Sequence, residues 1–190
     1  MISNHLEEIL ELELSPEIKE EVERSLSLIT FSKGETILRE GDQARHLYII
    51  LTGVVRGYYI DEAGNDITKC FGCECGFFST EGFRTGAAAT FTIECLEDCQ
   101  SIRIPYAWLN QLLLEKPAIN TKIRQMFQQE IQVQERRNRN LVLLDAEARY
   151  VDFCETFPQL AERVPLGCVA SYIGIRLGSL SRIRKQLHLT

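Results

Sequence analysis

The chain has 190 residues, 45% of them hydrophobic and 25% charged, with a formal net charge of −6. It can bury a core of its own, in one medium and one small domain, and no apolar run approaches the ~18 residues of a membrane span. The acidic N-terminus lacks the basic-then-apolar pattern of a signal peptide, and seven cysteines without regular spacing argue against a secreted disulfide framework and for reduced thiols in the cytoplasm.

The first 30 residues hold eight Glu among scattered Leu, Ile and Val. Ser15-Pro16-Glu17-Ile18 reads as a helix start, which predicts one or two small amphipathic helices. From Phe31 the period changes: Gly34, Gly41, Gly53 and Gly64 punctuate short runs rich in Ile, Val and Tyr, the spacing of an all-β sandwich or barrel. Asp61 to Asp66 predicts a hairpin turn. Further strands are expected at Ile67 to Phe71, Thr90 to Leu96 and Gln100 to Ile104, closing a jelly-roll-like β-domain near Pro105.

Tyr106 to Glu115 and Ala118 to Leu144 then read as helices. In the longer one, Ile119, Ile123, Met126 and Val133 keep a 4-then-3 spacing that Glu130, Arg137 and Asn140 interrupt. Interrupted heptads suit a partner helix, because a polar seam residue fixes register at some cost in stability. The alternative is a stripe that packs only on its own β-domain.

Charge is sorted along the chain. The last 27 residues, Val164 to Thr190, carry four basic side chains (Arg176, Arg182, Arg184, Lys185) and no acid, the footprint of an end that meets phosphate. Pro165 suits a first helical turn, and Leu166, Val169, Ala170 and Ile173 follow on one apolar face. Gly174 can take the positive φ of a tight turn, and Leu180, Ile183 and Leu187 mark the buried stripe of a second helix. This is the outline of a helix-turn-helix; the bland alternative is a helical hairpin with a basic face. Gly178, Ser181, Arg182 and Lys185 fall opposite the second stripe, flanked by Ser179 and Gln186. Arg or Lys there can read guanine edges and Ser can bond phosphate. Arg184 lies nearer the apolar edge, for a phosphate or structural role.

Ala-Ser-Tyr-Ile-Gly-Ile to Ser-Leu-Ser-Arg-Ile-Arg-Lys-Gln-Leu, spanning Ala170 to Leu187, resembles the DNA-reading motif of the Crp/Fnr transcription regulators. Upstream, Phe31 to Thr68 is similar to the opening of that family's cyclic-nucleotide-binding-type β-roll. The resemblance implies an α+β chain: a double-stranded β-helix or jelly-roll sensor domain over 1–115, a dimerisation helix over 116–145 and a helix-turn-helix over 146–190. It implies a homodimer paired through the long helix, whose two helix-turn-helix units read successive major grooves of a near-palindromic double-stranded operator about 34 Å apart. It admits RNA polymerase as a further partner. DNA-binding residues would be Arg176, Ser179, Ser181, Arg182, Lys185 and Gln186.

The sequence departs from the family in two places. Cyclic-nucleotide-binding members hold ribose with a Gly-Glu pair and phosphate with an Arg followed by Ser or Thr. Here Glu74 matches the acid, but Ala89 stands where the Arg is expected, and Arg84-Thr85 lies five residues early. Without that Arg the cyclic phosphate loses a bidentate, charge-assisted contact. The candidate effector residues are thus Glu74, Arg84, Thr85 and Thr90, for a small-molecule effector of unknown identity, with no cofactor. The recognition helix also departs: Arg176, Leu177 and Gly178 replace the family's Thr or Ser, Pro and Glu, weakening the cap by about 1 kcal/mol and removing a base-reading carboxylate.

Cys70, Cys73 and Cys75, with Cys95 and Cys99 on or near a later strand, offer an alternative: a thiol- or metal-responsive regulator. The family's iron–sulfur sensors place their ligating cysteines largely near the N-terminus, where this chain has none, and small buried hydrophobe is the commonest role of Cys. Cys154 and Cys168 read as helix-packing residues. His5, His46 and His188 are scattered, and neither a phosphate-binding Gly loop nor a nucleophile elbow is present, so no catalytic residues are expected.

Overall fold

Ser15 begins the second helix as the sequence predicts: its Oγ accepts from the Ile18 amide at 3.4 Å, and Pro16 takes the first helical position. The computed structural model of the chain describes residues 1–80 and 85–187. Helices α1 (Ile2–Leu10) and α2 (Pro16–Ser25) precede eight strands: β1 (Ser27–Phe31), β2 (Thr36–Leu38), β3 (His46–Thr52), β4 (Val55–Ile60), β5 (Asp66–Gly72), β6 (Phe77–Phe78), β7 (Thr92–Cys95) and β8 (Cys99–Pro105). Then come α3 (Tyr106–Glu115), α4 (Pro117–Leu143), α5 (Ala146–Thr156), α6 (Leu166–Tyr172) and α7 (Leu177–Gln186). No helix among the described residues is long and apolar enough to cross a membrane.

The strands form two four-stranded sheets, β1-β8-β3-β6 and β2-β7-β4-β5. Ile102 on β8 stands opposite both Leu28 and Ile49, and Leu47, Ile49 and Ile102 are almost fully buried. This hydrophobic alternation gives the α+β fold its first core, which α1, α2 and α3 extend through Leu6, Leu10, Val22, Leu109 and Leu112. The Trp108 indole N–H, donating to Glu21 at 2.8 Å, ties α3 to α2. Between β3 and β4, Gly53 is at φ +99°, where a Cβ would lie 2.6 Å from both the Asp98 carbonyl oxygen and Cys99 Sγ. Only glycine fits that approach. The strand expected from Thr90 starts at Thr92, because Ala88 bridges to Gln43 and the Ala89 amide and carbonyl bond Asp42 and Gly41 instead of a sheet neighbour.

The chain divides into two compact units, 1–57 with 71–128 and 58–70 with 129–190. The boundary between the units falls within α4, near Gln128. Ile119 and Ile123 are buried in the core of the first unit, with Met126 and Phe127 against it. In the second unit Asn140 is buried, and Arg137 donates to the Tyr172 carbonyl at 2.9 Å and the Thr68 carbonyl at 3.2 Å. Of the residues on the expected seam, Ile119, Ile123 and Met126 thus pack within the first unit and Arg137 bonds within the second. The large apolar side chains left exposed on α4 are Ile131, Val142 and Leu143. The hairpin tip 58–70 belongs to the second unit through Ser171, whose Oγ accepts from the Thr68 amide at 2.7 Å and donates to the Asp66 carbonyl at 3.2 Å.

Candidate nucleic-acid interface

Asp145 starts α5, its carboxylate accepting from the Ala148 amide at 2.9 Å. Tyr150 and Phe153 of α5, with Leu160 and Val164 beyond it, are buried, as are Val169, Ala170, Tyr172 and Ile173 at α6 and Leu180 and Ile183 on α7. At the turn, Gly174 has φ +70° and the Ile175 amide donates back to the Ala170 carbonyl at 2.9 Å, closing α6 with a left-handed glycine. A Cβ at Gly174 would meet Leu141 Cδ2 at 3.0 Å. The local sequence thus folds as two short helices around a glycine turn, supported by α5.

Burial of Leu180 and Ile183 fixes which face of α7 meets solvent. Arg176, Gly178, Ser181, Arg182, Lys185 and Gln186 are exposed and Ser179 is half-buried. Among the described residues none of Arg176, Arg182 or Lys185 has an ion-pair partner. Arg182 Nε donates to the Gly178 carbonyl at 3.3 Å and Ser181 Oγ to the Leu177 carbonyl at 3.1 Å, both within the helix. These bonds hold the side chains along α7 and leave the other Arg182 donors outward. Arg176 is the N-cap with no side-chain cap bond. Arg184 stands apart: its Nη1 donates to the Tyr150 hydroxyl at 3.0 Å. It secures α7 to α5.

Three of the four expected effector residues lie among the described residues. Glu74 Oε1 accepts from the Gly53 amide at 2.9 Å and so braces the β3–β4 turn. Thr85, whose Oγ1 accepts from the Ala87 amide at 3.3 Å, and Thr90 are exposed. Arg84 and His188 lie outside the described residues. Ala89 is 3% exposed, so the position expected to hold a phosphate-binding Arg presents a buried methyl group. Sequence reasoning missed Arg56, 7% exposed, which pairs with Glu94 at 2.6 Å. An Arg in a run of buried strand residues facing a Glu on a neighbouring strand is the signal that could have found it.

The cysteines are not brought together as ligands. Cys70 and Cys73 are half-buried and Cys75 is exposed, and among the described residues no group of three or more His, Cys, Asp or Glu could hold a metal ion. Cys75 has φ +64°, which turns the chain between Cys73 and Gly76. Cys95 and Cys99 are buried. The hydrogen bond with Cys99, followed by burial, pushes the Cys95 thiol up from its ordinary value, so it remains protonated at neutral pH. Burial shifts Arg137 down from its ordinary value, which its Coulombic interaction with Tyr172 opposes, and its guanidinium lies 4.5 Å from the centre of the Tyr172 ring.

The pattern of the cyclic nucleotide-binding domain matches residues 28–116. The chain is similar to the fumarate nitrate reduction regulatory protein of Klebsiella oxytoca, 24% identical over 166 residues, covering 80% of this chain and 64% of that one. The corresponding protein of Vibrio cholerae is 25% identical over 165 residues, with the same coverage. The chain thus spans less than two thirds of the length of these curated relatives. Among solved structures, FixK2 from Bradyrhizobium japonicum superposes with a TM-score of 0.77 at 22% identity, covering 86% of this chain and 84% of that one. A regulator assigned to the Crp/Fnr family from Eubacterium rectale gives 0.71 at 14% identity, covering 93% and 84%. A cyclic nucleotide-binding-type β-roll followed by a helix-turn-helix is the class this fold defines. The chain shares the fold of these regulators.

Proposed function

We propose that the chain is a sequence-specific, DNA-binding transcription regulator, acting in the cytoplasm as a homodimer with α7 in the major groove. The observation that carries this reading is the outward face of α7: Arg182 and Lys185 are exposed without an ion-pair partner among the described residues, beside an exposed Gln186, in an acid-free stretch of a chain whose net charge is −6. Arg182 is the base reader, Lys185 and Arg176 contact phosphate, and Gly178 leaves one base pair loosely read. Ile131 and Val142, exposed on α4, lie on the face that pairs with the second copy. The effector is a small molecule other than a cyclic nucleotide, since Ala89 supplies no charge for a cyclic phosphate.

Selection of duplex DNA from a random library with the full chain tests the reading. Enrichment of two half-sites one helical turn apart is expected, with affinity falling steeply as salt rises. Recovery of no common sequence at any salt concentration overturns it.

A further inference from the structure

The second unit contains a cleft that the DNA-facing surface does not use. It lies between the later turns of α4, α5 and the end of α6, with a volume of about 330 Å³ counted to its open mouth.

Two buried polar groups line this cleft without a partner. Asn140 is 5% exposed and its Nδ2 donates to nothing; the buried Thr156 hydroxyl is likewise unpaired. Buried polar groups in native proteins nearly always have a hydrogen-bond partner, so two orphans lining one cleft mark a place where something else binds. The lining also holds three arginines against one aspartate. Asp152 is already taken, accepting from Arg136 Nε at 2.8 Å and Nη2 at 2.6 Å. Arg149 has only Nε bonded, to the Asp145 carbonyl at 3.3 Å, and its Nη1 lies beside Gly174 at the helix-turn-helix turn. The unused capacity is donor capacity with excess positive charge, while Phe153, Phe157 and Leu141 make the rest of the wall apolar.

We propose that this cleft binds a small carboxylate with a planar apolar body. One carboxylate oxygen accepts from Asn140 Nδ2 or the Thr156 hydroxyl, its charge faces Arg149, and its ring lies against Phe153 and Phe157. A ligand there touches α4, α5 and the Gly174 turn together, and so fixes the helix-turn-helix on the end of α4.

Benzoate is the probe and benzyl alcohol its neutral control, titrated into the full ¹⁵N-labelled chain without DNA, following the side-chain amide signal of Asn140. The assignment expects a saturable shift with benzoate, binding at least ten-fold weaker for benzyl alcohol, and at least ten-fold loss of benzoate affinity in Arg149→Gln. Thr156→Val keeps shape and volume, so it tests the site even if changes at Asn140 unfold the chain; a loss of several-fold is expected. Absence of a saturable shift overturns the proposal, as do equal affinities for the two probes, undiminished benzoate binding in both variants, or a benzoate-soaked crystal with only water at Asn140 and Thr156.

Discussion

The α7 surface and the β-roll treat their charged residues in opposite ways. Along α7 and its cap, Arg176, Arg182 and Lys185 are exposed, with no ion-pair partner among the described residues. In the roll, Arg56 is buried on Glu94, Glu74 holds the Gly53 amide, and Ala89 replaces a cation with a methyl group. A charge kept available is a charge for a partner, whereas one paired inside the fold serves the fold. The contrast separates exposed cations on one helix from Arg56 and Glu74, which are engaged in holding strands and a turn.

Substitutions can break or sharpen this contrast. The largest effect is expected at Arg56→Ala, which strands Glu94 without its partner in a mostly buried site. Urea unfolding should show a loss of about 3 kcal/mol, and a change below 1 kcal/mol would mean that the pair is not structural. Arg182→Ala should leave stability within about 0.5 kcal/mol and remove roughly 1–3 kcal/mol of discrimination between operator and random DNA. Affinities for both duplexes at fixed salt check this, and equal losses on the two would reduce Arg182 to a phosphate contact. Arg184→Ala crosses the divide, since Arg184 sits on the basic helix but is bonded to Tyr150. It should lower stability by about 1 kcal/mol with a smaller effect on discrimination than Arg182→Ala. The smallest effect is at Arg176→Ser, which supplies the missing cap and should stabilise the second unit by about 0.5–1 kcal/mol, while the slope of affinity against salt falls by about 0.9 for the lost phosphate contact.

Another contrast concerns the hairpin and the effector residues. The Asp61–Asp66 turn was legible because Asp and Gly have local turn chemistry: Asp61 accepts from the Ala63 amide at 3.0 Å and the Asn65 amide at 2.8 Å, and Gly64 has φ +82°. No local signal told that the same hairpin would bond Ser171, more than a hundred residues on. Likewise Arg137 and Asn140 read as polar interruptions of a seam, because periodicity identifies a face of a helix and not what covers it. The partners of Arg137 come from Thr68 on β5 and Tyr172 on α6, distant in sequence.

What the sequence determined by itself is whatever depends on near neighbours: the helix start at Ser15, the Tyr106–Glu115 helix, strands set by alternating Ile and Val, and a basic stretch with its stripe at Leu180 and Ile183. Those features follow from backbone preferences and from the periods of helix and strand, which act over a few residues. Tertiary structure alone decided which polar groups are used inside the fold and which remain. Arg56 found Glu94, Arg184 found Tyr150, and Asn140 and Thr156 were left unpaired around a cleft. Desolvation is the physical reason, since a side chain's charge or hydrogen bond acquires its energetic meaning only when burial removes water and fixes what stands opposite.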